Sequence, residues 1–430
     1  MEYYGKILIV AIPIFLTLIL FEKWYGCRKG KDTIRNMDMI SGINSGLISL
    51  VKNALGLAFV LISYKWYAKH FALVHIKSHY WVYVIALLSL DFSSYWTHRI
   101  EHEINFFWIN HMTHHSSEEY NLASAARQGI SSFVQLSTFL LLPAALLGID
   151  EKVIFVVAPF FLFAGFWYHT QHINKMGFLE KIIITPSHHR IHHAMNPEYI
   201  DKNYGQLFIF WDKLFGTYQE ELPNVRPVYG MTRPAQTWNP IKINFQHAWL
   251  MTKDAWRTKT LKDKVRIWTM PTGWRPADVT VKYPIQKIDD VYHFIKYDTV
   301  ASTGLKVWSW VQVTTTYLFI LYLFGNITFI NKMNGTYVYL YGAFIFLTVY
   351  SSSELMDRSA YAIFWELLKD SFGLVLIIII GDWFGMDSFS PILNKMVIAY
   401  LILSAIVTGH FVLSFYKERN RIPNKSPTSD

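Results

Sequence analysis

Two short stretches of this chain carry most of its metal-binding potential, and any fold it adopts has to bring them together. The first reads His98-Arg-Ile-Glu-His102 and then His111-Met-Thr-His114-His115. The second reads His169-Thr-Gln-His172 and then Ser187-His188-His189-Arg-Ile-His192-His193. Reduced to spacing, these are one HxxxH and two HxxHH patterns. On a helix, positions i and i+4, or i, i+3 and i+4, fall on one face, so each pattern projects two or three imidazoles in one direction. Neutral imidazole is a good ligand for iron, zinc and copper. Eight convergent imidazoles exceed the needs of one ion, and the natural count is two. Two HxxHH patterns and an HxxxH in the same third of a chain are far beyond chance. His70, His75, His79, His247, His293 and His410 stand outside the patterns and read as packing or surface residues. A zinc-protease HExxH is absent, because Phe106 stands three residues after Glu103.

Composition decides where this site sits. Hydrophobic residues make up 52% of the 430, aromatics 17% and charged residues only 17%, which is the balance of a chain that crosses a membrane several times. A single cysteine, Cys27, excludes a disulfide framework and a cysteine-built zinc or iron–sulfur site. The formal charge of +9 suits loops facing the cytosol under the positive-inside rule, and no soluble basic domain is present to bind nucleic acid.

The expected architecture is all-α: a polytopic integral membrane helical bundle with a cytosolic, histidine-rich di-metal cap. Residues 1–90 read as N-terminal spans, around 6–25 and 40–66, with a third at 80–96. Residues 91–240 read as the catalytic region. Within it, 132–149 and 152–168 form a hairpin that returns the chain to the same side. Residues 241–299 are basic and rich in Trp; they read either as an ordered soluble cap or, as the mixture of Trp and Lys favours, as a cap lying on the bilayer surface. Residues 300–416 hold the C-terminal spans, with Glu354, Asp357 and Arg358 expected to pair at a helix end. Residues 417–430 read as a disordered tail. Asp91 lies near the end of a span. Either it makes a helix-packing hydrogen bond, or it receives an N–H from a metal-bound imidazole and fixes its tautomer.

Inert C–H bonds of alkyl chains require an oxidant such as activated dioxygen, and hence a redox metal. A lipid leaves the bilayer only at ~0.8 kcal/mol per exposed CH₂, so a site where spans meet the cytosol suits a membrane substrate. The expectation is an oxygenase or desaturase acting on a membrane lipid.

The wording around the histidines resembles the fatty acid hydroxylase/sterol desaturase superfamily of integral-membrane di-iron enzymes, and within it the alkylglycerol monooxygenase family. The runs that carry the resemblance are Tyr95–Asn105, Trp108–Asn121, Ala126–Gln128, Thr185–His193, Ile200–Gly205 and Trp211–Thr217. The resemblance implies a non-haem centre of two iron ions, dioxygen, and tetrahydrobiopterin as reductant. The implied reaction hydroxylates the ether-linked carbon of an alkylglycerol, releasing a fatty aldehyde and glycerol or a glycerol derivative. It carries over His98, His102, His111, His114, His115, His189, His192 and His193 as ligands, with His169 as a further one. It also marks Glu103 as a catalytic residue serving pterin or metal; Asp91, from its place inside a span, is the other catalytic candidate. His172, His188, Asn203 and Tyr204 have no assigned role.

Rival readings share the architecture. A sterol, fatty acyl or carotenoid hydroxylase or desaturase would draw electrons from a transfer protein instead of pterin. A metal or proton transporter would instead place its histidines within the spans. Scarce cysteine and a composition leaning to Lys, Asn and Ile favour a bacterial inner membrane, with the endoplasmic reticulum as the alternative.

Overall fold

The computed structural model describes residues 2–57, 63–76, 79–131 and 137–421. Among these residues all regular structure is helical, and only isolated β-bridges interrupt it. The helices that build and support the site are α1 (Glu2–Arg28), α2 (Asn36–Ala54), α3 (Tyr80–Glu103), α4 (Asn105–His115), α5 (Glu151–Trp167), α6 (Pro186–His192), α7 (Pro240–Arg257), α8 (Leu261–Arg266), α9 (Thr303–Met333), α10 (Tyr337–Met356), α11 (Ala362–Ile380) and α12 (Pro391–Arg421). Three of them, α1, α9 and α12, are long and apolar enough to cross a membrane. The chain is therefore an all-α, membrane-embedded bundle.

Two expected spans come out differently. The 40–66 stretch forms α2, which ends at Ala54; residues 58–62 lie outside the described residues. In the expected hairpin, residues 132–136 also lie outside them. From Ser137 the chain makes two short helices, Ser137–Leu140 and Leu142–Leu146, with Pro143 starting the second. Asp150 then caps α5 by accepting from Lys152 N at 2.8 Å. The outward face of α5 carries Phe155, Phe160 and Phe163, all well exposed, as suits a lipid-facing helix.

The bundle core joins α2 to α9–α12 through Ile40, Ile48, Ile320, Tyr341, Phe344 and Trp383. Helix α2 is buried over most of its length. Gly42 makes that possible: a Cβ there would stand 2.5 Å from the Ala123 carbonyl oxygen, so only glycine lets the two backbones approach. Deeper in the C-terminal bundle, Lys369 is fully buried. Its ammonium meets Glu366 at 2.7 Å, Asp370 at 2.9 Å and Ser404 at 3.2 Å, and the Ser351 and Ser404 hydroxyls donate to Glu366.

The expected pairing among Glu354, Asp357 and Arg358 does not form. Glu354 instead receives Lys242 and Asn239. Asp357 accepts from Trp238 N at 2.7 Å and from the Thr237 and Tyr297 hydroxyls, while Arg358 pairs with Glu418. These three residues clamp the 237–299 segment to the end of the bundle. Opposite charges spaced for one helix end have better partners on other segments.

Candidate metal centre

The histidines sit where helices end. α3 carries His98 and His102 in its last turns, and α4 begins two residues after it ends. The single residue between them, Ile104, is extended (φ −121°, ψ 125°). That break turns the HxxxH and HxxHH faces towards one another. The polar groups it exposes are met by the cap: Asn105 N donates to Met270 O at 3.0 Å, Phe106 N to Trp268 O at 3.1 Å, and Thr272 N to Glu103 O at 3.1 Å. The Asn105 side chain adds bonds to the Ile267 and Trp274 carbonyls. α5 delivers His169 two residues past its end, and α6 carries the last HxxHH.

All nine expected histidines converge, in two groups. His98, His102, His111, His115 and His192 form one; His114, His169, His189 and His193 form the other. In the first, Nε2 of His98 and His111 stand 2.9 Å apart, His111 and His115 3.0 Å, His102 and His115 3.1 Å, and His115 and His192 3.1 Å. In the second, Nε2 of His169 lies 3.2 Å from His114 and 3.1 Å from both His189 and His193. Donors at right angles around an ion with bonds of about 2.1 Å stand about 3.0 Å apart, so both groups have the spacing of neighbouring ligands on one ion.

The doubled histidines explain the two groups. His111 and His115 point to one centre and His114 to the other; His189 and His193 point to the second centre and His192 to the first. Each HxxHH thus serves both, with its i, i+4 pair on one group and its middle residue on the other. The rings of His115 and His193 stack across the boundary, with centroids 4.3 Å apart.

The tautomers follow from what the opposite nitrogens meet. Nδ1 of His98 lies 2.8 Å from the Tyr204 carbonyl, that of His192 2.9 Å from Lys202 O, and that of His114 3.2 Å from Arg127 O. A carbonyl only accepts, so these Nδ1 atoms carry the proton and each Nε2 presents a lone pair to its group. His102 and His111 turn Nδ1 towards Asp201 and Glu101, each at 3.6 Å. Burial, with neighbouring imidazoles adding to it, holds His98, His111, His115, His169, His189, His192 and His193 well below the ordinary histidine range. Burial takes His114 down to about 4 and also lowers His102. Buried lone pairs facing one another about 3 Å apart repel, and a cation between them removes the repulsion. An all-imidazole set suits iron, zinc, copper or nickel.

Among the described residues Asp91 receives no imidazole N–H, which corrects one of its two expected readings. Its carboxylate is fully buried and accepts from Leu207 N at 2.9 Å, Phe208 N at 3.1 Å and Trp211 Nε1 at 2.9 Å. Asp212 accepts from Tyr204 N at 2.7 Å and Gly205 N at 2.8 Å. Together they pin the 202–208 loop whose carbonyls orient His98 and His192. Asn203 holds the same loop in the left-handed region (φ 55°) by donating to the carbonyls of His188 and Gln219. A parallel device serves the other group: Asp38 pairs with Arg127 at 2.7 Å, and the Arg127 carbonyl meets His114.

Glu103 points elsewhere. Its side chain is 45% exposed and pairs with Arg99 at 2.9 Å, away from both groups. His172 packs edge-on against Tyr25, and His188 caps α6 at Thr185; neither joins a group. Sequence reasoning gave no role to Glu101, Asp201 or the 202 and 204 carbonyls, and a backbone acceptor leaves no mark in a sequence. Tyr204 has a buried hydroxyl without a partner among the described residues, and its ring lies 5.3 Å from that of His102. Beside the five-histidine group opens a cavity of about 250 Å³, lined by His102, His115, His192, Trp108, Met231 and Trp274 among others.

Comparison with known proteins agrees with this geometry. The Fatty acid hydroxylase family model matches residues 83–217, which span all nine histidines. The human alkylglycerol monooxygenase is 34% identical over 363 residues, covering 84% of this chain and 80% of its own. The chain belongs to the alkylglycerol monooxygenase family. The zebrafish (Danio rerio) member is 30% identical over 403 residues, 92% of this chain and 87% of its own. A more distant relative, the ornithine lipid hydroxylase OlsE of Rhizobium tropici, is 29% identical over 135 residues, 31% of this chain and 41% of its own. No solved structure matches. Membership in this family makes the chain a membrane-embedded, lipid-modifying monooxygenase.

Proposed function

We propose that the nine histidines hold two iron ions and that the protein cleaves the ether bond of alkylglycerols. The observation that carries the metal half is the set of Nε2 lone pairs, about 3 Å apart, converging on two points. The family carries the substrate half. Such a centre supplies the activation of dioxygen for attack on a C–H bond. Hydroxylation of the ether-linked carbon consumes one dioxygen and two reducing equivalents, and releases one water. The resulting hemiacetal breaks its C–O bond to give a fatty aldehyde and a free glycerol hydroxyl. Tetrahydrobiopterin is the proposed reductant, with an electron-transfer protein as the alternative source of the same two electrons.

The chain's own residues set the conditions. The carbonyls of Lys202, Tyr204 and Arg127 fix ring orientation and tautomer. Burial keeps the imidazoles neutral, so they are ready to bind metal at ordinary pH. The cavity beside the five-histidine group, with its Trp and Met walls, receives the reacting segment of the lipid. Glu103, paired with Arg99 at the surface, is proposed to serve the pterin and not the metal. Region 91–240 is proposed as the catalytic unit and 241–299 as its cap, between the N- and C-terminal membrane helices. Lys23, Arg28, Lys29, Lys31 and Arg35 at the site end of α1 support a cytosolic face.

The test is purified protein in detergent with an alkylglycerol, dioxygen and tetrahydrobiopterin, assayed for fatty aldehyde, with iron measured on the same sample. Aldehyde that requires the pterin, with about two irons per chain, is the expected result. Iron without aldehyde keeps the oxygenase and redirects the search to other lipids, as the Rhizobium relative's name suggests. A well-folded sample with neither refutes the proposal.

A further inference from the structure

Helix α7 has two faces of opposite character. Ile243, His247, Leu250, Met251 and Asp254 are buried, and the last four line the cavity beside the five-histidine group. On the other side, Phe245, Trp249 and Trp256 are 40%, 62% and 85% exposed. Spacings of four and seven put these three on one stripe. The next helix, α8, adds Leu261 and Val265, 76% and 68% exposed. A helix already packed on its inner face has no folding reason to show two tryptophans outward.

The charges beside the stripe are one-sided. Residues 240–266 contain seven cations, Lys242, Lys253, Arg257, Lys259, Lys262, Lys264 and Arg266, against Asp254 and Asp263. Both acids are engaged, Asp254 by Arg275 and Asp263 by Arg266. Lys253 lies over the Trp249 ring at 5.6 Å. Protein–protein interfaces are depleted in Lys, whereas Trp beside Lys and Arg is the signature of a helix lying at a lipid headgroup layer. The anchoring agrees. α7 starts where α10 ends, with Asn239 and Lys242 bound to Glu354 and Lys242 over the Tyr350 ring. The stripe therefore leaves the bundle at the end of a bundle helix.

We infer that α7 and α8 form a ledge that lies on an anionic bilayer leaflet, its Trp stripe in the headgroup–acyl boundary, while its inner face walls the reaction cavity. The docking does not depend on the ether-cleavage reading. A single helix then separates lipid from the histidines, and an alkyl chain reaches the cavity without crossing water.

The chain's one cysteine makes the test direct. In a Cys27→Ser background, nitroxide labels are placed singly through Trp249→Cys, Trp256→Cys and Leu261→Cys, with Glu220→Cys as an exposed control. The full-length protein is held in nanodiscs containing anionic lipid. Collision with oxygen above that with a water-soluble nickel chelate at 249, 256 and 261, and the reverse at 220, is the expected result. Nickel accessibility at those three equal to that at 220 overturns the inference. So does spin–spin broadening between two copies, which makes the stripe a protein interface. As a second measurement, Trp249→Glu with Trp256→Glu should raise KM for a bilayer-borne substrate about tenfold and leave kcat for a water-soluble short-chain one unchanged. An unchanged KM counts against the ledge.

Discussion

Two regions bury ionisable groups deep in this protein, and they do so in opposite ways. In the C-terminal bundle, the Lys369 ammonium is met by two carboxylates and a serine hydroxyl, and Glu366 is met in turn by two serines. In that set the ammonium and the carboxylates meet within the chain, and only the Asp370 oxygens, held by the ammonium at 2.9 Å, lack a hydrogen bond among the described residues. In the histidine layer, nine imidazoles converge nitrogen on nitrogen; carbonyls meet the outward nitrogens of His98, His114 and His192, and those of His169 and His189 have no hydrogen-bond partner among the described residues. Polarity and burial are alike in the two places. What separates a structural staple from a ligand site is whether the groups satisfy each other.

The comparison breaks most visibly at His115, whose Nε2 lies within 3.1 Å of three other ligand nitrogens. His115→Ala should abolish turnover and lower bound iron, yet leave the metal-free protein no less stable by thermal unfolding. A metal-free variant that is clearly destabilised would make the layer a staple after all. Lys369→Met should do the reverse. It strands two buried carboxylates and should cost about 3–5 kcal/mol, with iron per folded chain unchanged. Adding Glu366→Gln should recover part of that loss.

His247 sharpens the contrast because it is a buried histidine outside both groups, with Nε2 unpartnered among the described residues. Burial, then the nearby Arg233, take it down to about 4. The unfolded chain takes up this proton near 6.5, so the stabilising contribution is present above that pH and is lost as pH falls towards 4. The loss is at most on the order of 3 kcal/mol, and His247→Asn should remove that part of the pH profile. Asp91→Asn should act through the 202–208 loop, lowering activity about 10–100-fold with most iron retained. Equal loss of both would move Asp91's role into metal retention itself. Glu103→Gln should change stability by no more than about 1 kcal/mol, because its pairing with Arg99 is half exposed. An activity loss exceeding any iron loss would support its service to the pterin.

Much of the layer was legible because imidazoles at helical spacing leave few alternatives. The nine candidates fall into the two groups without remainder, and His172 and His188 stand outside. The allocation within each HxxHH was not legible. It depends on a turn of about 100° between neighbours on a helix, with a second centre on the other side. Asp91 shows a different limit. Its burial near a span end was readable, but its partners lie 116 residues and more along the chain, and two of the three are backbone amides that any sequence would supply, the third being the Trp211 indole. Glu354, Asp357 and Arg358 repeat the lesson. Local spacing suggested that they pair with each other, and the partners that won belong mostly to the 237–299 segment.

The extended residue at Ile104 has a bearing on how the protein can be divided. The segment shared with other lipid hydroxylases ends at Thr217, and a minimal catalytic fragment cut there would look complete by its histidines. It would lack residues 267–274, whose backbone meets the amides of Asn105 and Phe106, the Glu103 carbonyl and the Asn105 side chain. Those groups would then face water at the bend between the two ligand helices, and the bend would no longer be held at one angle. The cap is part of the frame of the candidate metal centre, so trimming or exchanging it as a module changes the site itself.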